Sequence, residues 1–383
     1  MFDVLASLLR DVGLEADLLN IKDLLNSENE PEFIEGKVLL DDALHGLDVN
    51  IGQRIWHLNE IFNRLYAKKI PDKYNFIVVN DAGLIALKSH WNKPLRSRII
   101  GPKHKTYWIW WCHQNASGVN EKVWKNIQYH LDHYDAAIFT MKEHKPPMLQ
   151  NTPPIYCFPP SIDPFIPKNI MDSSSEHFLT MEKCCKRIAK YSIDVQRPIL
   201  LQVARFSPTK DQKGVVDAYR IVKAAEPKTQ LVLLGYLPDD DPSSSMYYQQ
   251  LLQYAKGDPD IHVISPFGSD SELDVSAFQR MARVNILLSI EEGFGLVLTE
   301  AMWKEIPVVG KNVGGIRHQI IDKENGFLVN SIEECADRCI QILSNSKLAS
   351  RISLNGKKHV ATNYLSIHHL YYYLILFNAV VHQ

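Results

Sequence analysis

Short, unbroken apolar runs recur along this sequence, separated by stretches that carry apolar residues at helical spacing. The first series falls at 76–79, 107–111, 136–139 and 155–158, with a helical pattern at 123–131. A second begins at 199–203 and continues at 231–234, 262–264, 286–289, 307–310 and 327–329. Helices are expected within it at 215–225, 276–282 and 296–304. A strand that is apolar at every position has both faces buried, and a sheet of such strands linked by helices is parallel and covered on both sides. Between the two series, Pro159, Pro160, Pro164, Pro167 and the serines at 173–175 mark a connector, followed by a helical stretch at 178–191. The pattern predicts an α/β protein of two doubly wound units with a ligand cleft between them. Its 383 residues are enough for two domains.

The ends and the polar segments are less regular. Phe2, Leu5, Leu8, Leu9 and Val12 share one helical face, and Gly13 follows where a C-cap glycine belongs. Residues 14–21 are expected to form a strand, 22–73 helix and loop with an amphipathic piece at 55–66, and 239–245 a polar loop. The apolar stretch at 371–381 contains Asn378 and reads as a buried terminal helix, spanning about 367–381. No segment approaches the roughly 18–20 apolar residues that cross a bilayer. The first ten residues have no basic n-region, so they do not read as a signal peptide.

Charge and cysteine content narrow the function classes. Forty-two Lys and Arg against 44 Asp and Glu give a formal net charge of −2, which argues against a general nucleic-acid binder but leaves room for a local phosphate site. Six cysteines without a CxxC pair point to reduced thiols and a cytoplasmic setting.

Two motifs carry chemistry. In Glu292-Gly-Phe-Gly-Leu-Val-Leu-Thr-Glu300 a strand enters a turn that Gly293 and Gly295 permit, and a helix starts near Leu296. Amides at that helix start, with the helix dipole, suit an anion. Glu292 falls in the turn and Glu300 within the helix. A glycosidase acid–nucleophile pair is the alternative for two carboxylates, but those come from separate strands. A helix-start Glu with an exposed helix Glu is the plain structural reading. The second motif, Val203-Ala-Arg-Phe-Ser-Pro-Thr-Lys210, puts Arg205 and Lys210 five apart at the end of a strand. Two cations there can embrace a diphosphate and neutralise a leaving group; taken alone they read as a solvated pair. Asp239-Asp-Asp241 mimics a DxD metal motif but lies in a Pro/Ser-rich stretch.

Together with Pro307-Val-Val-Gly310, Val313-Gly-Gly-Ile316, Trp108-Ile-Trp-Trp-Cys-His113 and Pro159-Pro-Ser-Ile-Asp-Pro164, these motifs resemble the retaining GT-B glycosyltransferases of family 4. The likeness is nearest to trehalose synthases, which transfer glucose from a nucleotide sugar to glucose, and to trehalose phosphorylases. The resemblance implies two Rossmann-like domains facing a cleft: 1–190 on the acceptor side, 191–360 binding the nucleotide sugar, and a helix at 361–383 returning to the first domain. It implies that Arg205 and Lys210 hold the donor diphosphate, that Glu300 accepts from the ribose hydroxyls and that Glu292 binds the donor glucose. Amides of the Gly293, Phe294, Gly295 and Leu296 stretch face phosphate or sugar. His113 faces the reacting sugar; a lone His after an aromatic strand otherwise packs, as Trp108, Trp110 and Trp111 are expected to. Neither metal nor cofactor is required. The implied partners are a nucleotide sugar and a sugar acceptor; the sequence leaves a homodimer open.

The chain departs from the family pattern at Ser207 and Thr209, where Asp and Trp are usual, and at Trp111, where Arg is usual. The usual His-Ile-Asp reads His113-Gln114-Asn115, so an acceptor-side carboxylate becomes an amide. The first domain is expected to lack its opening strand and Gly-rich loop, because the sequence starts inside an amphipathic helix. Donor binding should then be better preserved than transfer.

Overall fold

A computed structural model describes residues 2–19, 36, 39–40, 43–44, 51–80, 82–91, 105–149, 153–171, 173–175, 178–237, 242–265 and 271–383. The chain divides into two compact units, Ser161–His368 and Phe2–Pro160 with His369–Gln383. Among the described residues no helix is long and apolar enough to cross a membrane.

In the second of these units, strands β1 (Phe76–Val79), β2 (Tyr107–Cys112), β3 (Ala136–Phe139) and β4 (Ile155–Cys157) form a parallel sheet in the order β1-β2-β3-β4. Alternation along β2 sends Trp108 and Trp110 to one face and Ile109 and Trp111 to the other, and all four are fully buried. The first pair packs with Phe62 and Tyr66 of the helix Gln53–Lys69 and with Trp124 and Ile127 of the helix Glu121–Leu131. The other face is covered by Tyr373, Leu376 and Val380 of the terminal helix Ser366–Val381. The all-apolar strand therefore follows from helices on both sides. The tryptophans are core, as expected.

The first helix runs Phe2–Asp11, and Gly13 adopts φ +86° while Leu14 N–H donates to the Leu9 carbonyl at 3.0 Å. No strand follows at 14–19; the end of that expected strand, Asn20 and Ile21, lies outside the described residues. Most of the expected 239–245 loop is replaced or not described. Residues 239–241 lie outside the description, and the serines after Pro242 open the helix Pro242–Ala255.

The unit Ser161–His368 holds β5 (Ile199–Val203), β6 (Gln230–Leu234), β7 (Ile261–Ile264), β8 (Val284–Leu287), β9 (Val308–Lys311) and β10 (Phe327–Val329). All pairings are parallel and the order is β7-β6-β5-β8-β9-β10. Counted from β5 this is the doubly wound order 3-2-1-4-5-6, whose topological switch point lies between β5 and β8. One face packs with Leu298, Ala301 and Met302 of the helix Leu296–Trp303, the other with Val215, Tyr219 and Val222 of the helix Gln212–Ala225.

This unit begins at Ser161, so residues 161–190, expected with the first domain, pack here instead. Ile162 N–H donates to the Tyr364 carbonyl at 2.8 Å, and Ser366 N–H donates to the Ile162 carbonyl at 2.9 Å. The helix Met181–Ala189 sinks Cys184 and Ile188 into the core. Asp274, 1% exposed, accepts from Arg187 Nε at 2.9 Å, Lys190 Nζ at 2.7 Å and the Tyr191 hydroxyl at 2.7 Å. A buried carboxylate with three donors fixes that helix to the helix Ser271–Met281. Prolines marked a change of path, and burial decides where the domain begins.

Candidate active site

The two motifs follow the two strands that flank the switch point. After β5 the chain turns through Arg205 and a short 3-10 turn, Pro208–Lys210, which Ser207 caps by accepting from Thr209 N–H at 3.3 Å. Gln202 Nε2 donates to the Lys210 carbonyl and Gln212 Nε2 to the Arg205 carbonyl, each at 2.8 Å. Asp211 sits at φ +47° and caps the next helix, accepting from Gly214 N–H at 3.1 Å. The loop is thus held from both ends, and the Lys210 side chain leaves a fixed backbone.

The loop after β8 meets it. Ile290 N–H donates to the Thr209 carbonyl at 2.8 Å, and Lys210 Nζ lies 2.8 Å from Glu292 Oε2. Ser289 Oγ donates to that same carboxylate oxygen at 2.9 Å. The Lys210 and Glu292 side chains are 15% and 13% exposed, so the pair is shielded yet reachable from solvent. Arg205, at the same strand end, is exposed and pairs with no carboxylate among the described residues.

Glycines make the second loop's shape possible. Gly295 takes φ +86° immediately before the helix Leu296–Trp303, and no side chain caps that helix. The first amides of a helix have no intrahelical acceptor, so they remain for an anion. Gln319 braces the turn: its Nε2 donates to the Phe294 and Gly295 carbonyls, and its Oε1 accepts from Thr299 Oγ1 at 2.5 Å. Gly314, at φ +43°, backs the loop so closely that a Cβ there would lie 2.0 Å from the Glu292 carbonyl oxygen. Gly315 N–H donates to that same oxygen at 3.1 Å. Phe294 is buried and packs edge-on against Tyr364, so what Phe294 offers a ligand is main chain rather than its ring.

Glu300 lies in the second turn of the helix, 8% exposed. Its Oε1 is 2.8 Å from Lys168 Nζ, and Gln279 Nε2 lies 3.5 Å from Oε2. His113 belongs to the other unit, just beyond β2. Its ring lies 4.2 Å from Trp111, which stacks on His369 at 4.9 Å. Burial holds the pKa of His113 down to about 4, with the neighbouring His369 adding to the effect. Burial likewise lowers His369 to about 4, so both imidazoles are neutral at pH 7.

The structure therefore brings together Lys210, Glu292 and the Gly293–Leu296 stretch, sets Arg205 at the same sheet edge and Glu300 further along the helix, and keeps His113 in a separate unit. The motif reading gave no role to Ser289, Gln319, Gly314 or Lys168. Ser289 had been placed inside the strand at 286–289; the strand ends at Leu287, which frees Ser289 to reach Glu292.

Residues 186–359 match the family described as Glycosyl transferases group 1, and residues 1–146 match Trehalose synthase, N-terminal domain. A trehalose synthase of Rubrobacter xylanophilus is 35% identical over 365 residues, covering 94% of this chain and 82% of its own. One from Thermococcus litoralis is 34% identical over 377 residues, with coverage of 98% and 85%. Among solved structures, one described as trehalose-6-phosphate from E. coli bound with UDP-2-fluoro glucose superposes with a TM-score of 0.70 at 15% identity, covering 92% of this chain and 85% of that one.

Proposed function

Since the chain belongs to the trehalose synthase family of group 1 glycosyltransferases, with a GT-B fold, we propose that it moves glucose from a nucleotide-glucose donor to glucose, giving trehalose with retention at the anomeric carbon. The observation that carries this reading is the 2.8 Å contact between Lys210 and Glu292 across the switch point of the sheet. It joins a cation suited to a diphosphate with a carboxylate suited to sugar hydroxyls, beside uncapped helix amides.

In this scheme Arg205 and Lys210 hold the donor diphosphate, and Lys210 exchanges part of its hold on Glu292 for a phosphate oxygen. Glu292, kept in place by Ser289, accepts from the donor glucose, while Glu300 accepts from the ribose. The amides of Gly295 and Leu296 face phosphate or sugar. As the bond from the anomeric carbon to the diphosphate oxygen breaks, charge builds on the leaving diphosphate, the acceptor hydroxyl attacks from the same face, and its proton passes to the departing diphosphate oxygen. Cations and amides then stabilise the transition state more than the ground state, and they supply the charge that a metal supplies in other transferases. His113, neutral at pH 7, is assigned to hydrogen bonding with the reacting sugar rather than to charge stabilisation.

The test is to incubate the protein with UDP-, ADP- or GDP-glucose and glucose, and to read product and anomeric configuration by NMR. Trehalose from one of these donors supports the proposal. Cleavage of trehalose by phosphate but not by nucleotide would make it a phosphorylase, and nucleotide binding without turnover would make it a non-catalytic binder.

A further inference from the structure

Three successive backbone carbonyls in the connector are each gripped by a different side chain. Ser276 Oγ donates to the Lys168 carbonyl at 2.6 Å, Trp303 Nε1 to the Asn169 carbonyl at 2.8 Å, and the Arg280 guanidinium to the Ile170 carbonyl. Lys304, 4% exposed, adds a fourth hold: its Nζ donates to Asn169 Oδ1 at 3.1 Å and lies 3.4 Å from the Glu300 carbonyl. Burial brings the Lys304 pKa down to about 7, so the charged amine depends on those oxygens. From this clamped backbone the Lys168 side chain extends to Glu300 Oε1 at 2.8 Å, with the lysine and glutamate side chains 21% and 10% exposed. Ion pairs on a mobile surface are worth little because holding two long side chains costs entropy. Here the lysine's backbone is already fixed and the pair is largely out of water, so only the side chains remain to be ordered and solvent screens the pair less.

We propose that Lys168 is a positioning residue for donor recognition: held by the clamp at 168–170, it aims the Glu300 carboxylate at the ribose hydroxyls of the nucleotide. The proposal rests on the ribose role given to Glu300 above. A carboxylate fixed at Oε1 presents its other lone pairs in one orientation, which suits two neighbouring hydroxyls and discriminates against a 2′-deoxyribose. A freely rotating carboxylate loses that discrimination before it loses binding.

Calorimetric titration with UDP, ADP and GDP and with their 2′-deoxy counterparts tests this, using the full chain and its K168M, K168R, S276A and E300A variants. The parent is expected to prefer a ribonucleotide. K168M should weaken that nucleotide about tenfold and bring the ribo-to-deoxy ratio close to one, as expected for loss of one charge-assisted contact. K168R should restore most of the ratio. S276A, which loosens the clamp but keeps the lysine, should lower the ratio in the same direction and decides the matter if K168M does not fold. A K168M protein with the parent's ratio, or one that loses melting temperature while keeping the ratio, overturns the proposal. A parent without ribose preference, or an E300A protein with unchanged affinity, overturns the reading of Glu300 itself and the proposal with it.

Discussion

Substituting Gly314 by alanine isolates the loop geometry from the chemistry of the loop's own side chains. The added Cβ would stand 2.0 Å from the Glu292 carbonyl oxygen and 3.0 Å from its carbonyl carbon. Both are backbone atoms, so no flexible side chain can give way. Real Cβ contacts begin near 3.0 Å, so the backbones at 314 and Glu292 must separate by at least 3.0 − 2.0 = 1.0 Å. Lys210 and Ser289 hold the Glu292 carboxylate at 2.8 and 2.9 Å, and a shift of that size at Glu292 displaces the carboxylate from the geometry in which both contacts are made. The positive φ at 314 adds strain of about 1 kcal/mol. Misplacing a reacting group by about 1 Å can cost about 10²-fold in rate, and that loss is the expected outcome. The control is G257A: Gly257 has φ +97° but nothing within 4 Å of its added Cβ, so it carries the strain without the collision. Transfer rates, donor affinity by calorimetry and melting temperatures should be measured on all three proteins. G257A should lose stability alone. A G314A protein with turnover and donor affinity within threefold of the parent would refute the argument that the glycine sets the position of Glu292.

Lys210→Ala and Glu292→Ala should each cost about 2–4 kcal/mol in transition-state stabilisation, and the double variant should cost clearly less than their sum because the side chains touch; additive kinetic effects would show that the contact is incidental. His113 and His369 have folded-state pKa values near 4, below the ordinary 6.5, so the unfolded chain binds more protons between these limits. Stability is therefore complete above about pH 6.5 and falls toward pH 4, by at most about 3 kcal/mol per histidine; urea midpoints at pH 7, 5.5 and 4.5 should show this fall, and His369→Phe should flatten it. Asp274→Ala removes the shared acceptor of Arg187, Lys190 and Tyr191 and leaves a small cavity; Lys190, half exposed, turns to solvent, so the unit should lose about 1–3 kcal/mol in denaturant unfolding.

Strands were readable where local composition decides them. β1, β3, β5 and β10 coincide with their apolar runs, and of these β3 is buried at every position. β8 was displaced because Asn285, polar yet wholly buried, sits inside the strand, whereas apolar Leu288 falls outside it. The chemistry of the site was legible as residue types at strand ends. Its assembly was not, since the contact of Lys210 with Glu292 depends on β5 lying beside β8, and nothing within either motif encodes that neighbour. Lys168 left no signal for the same reason: its partner is 300 − 168 = 132 residues away, and the connector around it reads only as proline-rich.

The terminal helix has a consequence for the order in which a ribosome delivers this protein. The unit Ser161–His368 is continuous in sequence, so it can complete its core as soon as its last strand and helices have emerged. The earlier sheet cannot. Its face bearing Ile109, Trp111 and Ile138 is closed by Tyr373, Leu376 and Val380, and 380 − 157 = 223 residues separate the end of β4 from the last of these. At about 5–20 residues per second that interval is roughly 11–45 s. Throughout it the nascent chain presents an aromatic-rich sheet surface, and the downstream unit, which ends at His368, completes its core only shortly before Val380 is added. Chaperone occupancy on ribosome-bound chains should therefore rise after β4 has emerged, persist until synthesis is complete and drop only on release, when the final helix is free to dock.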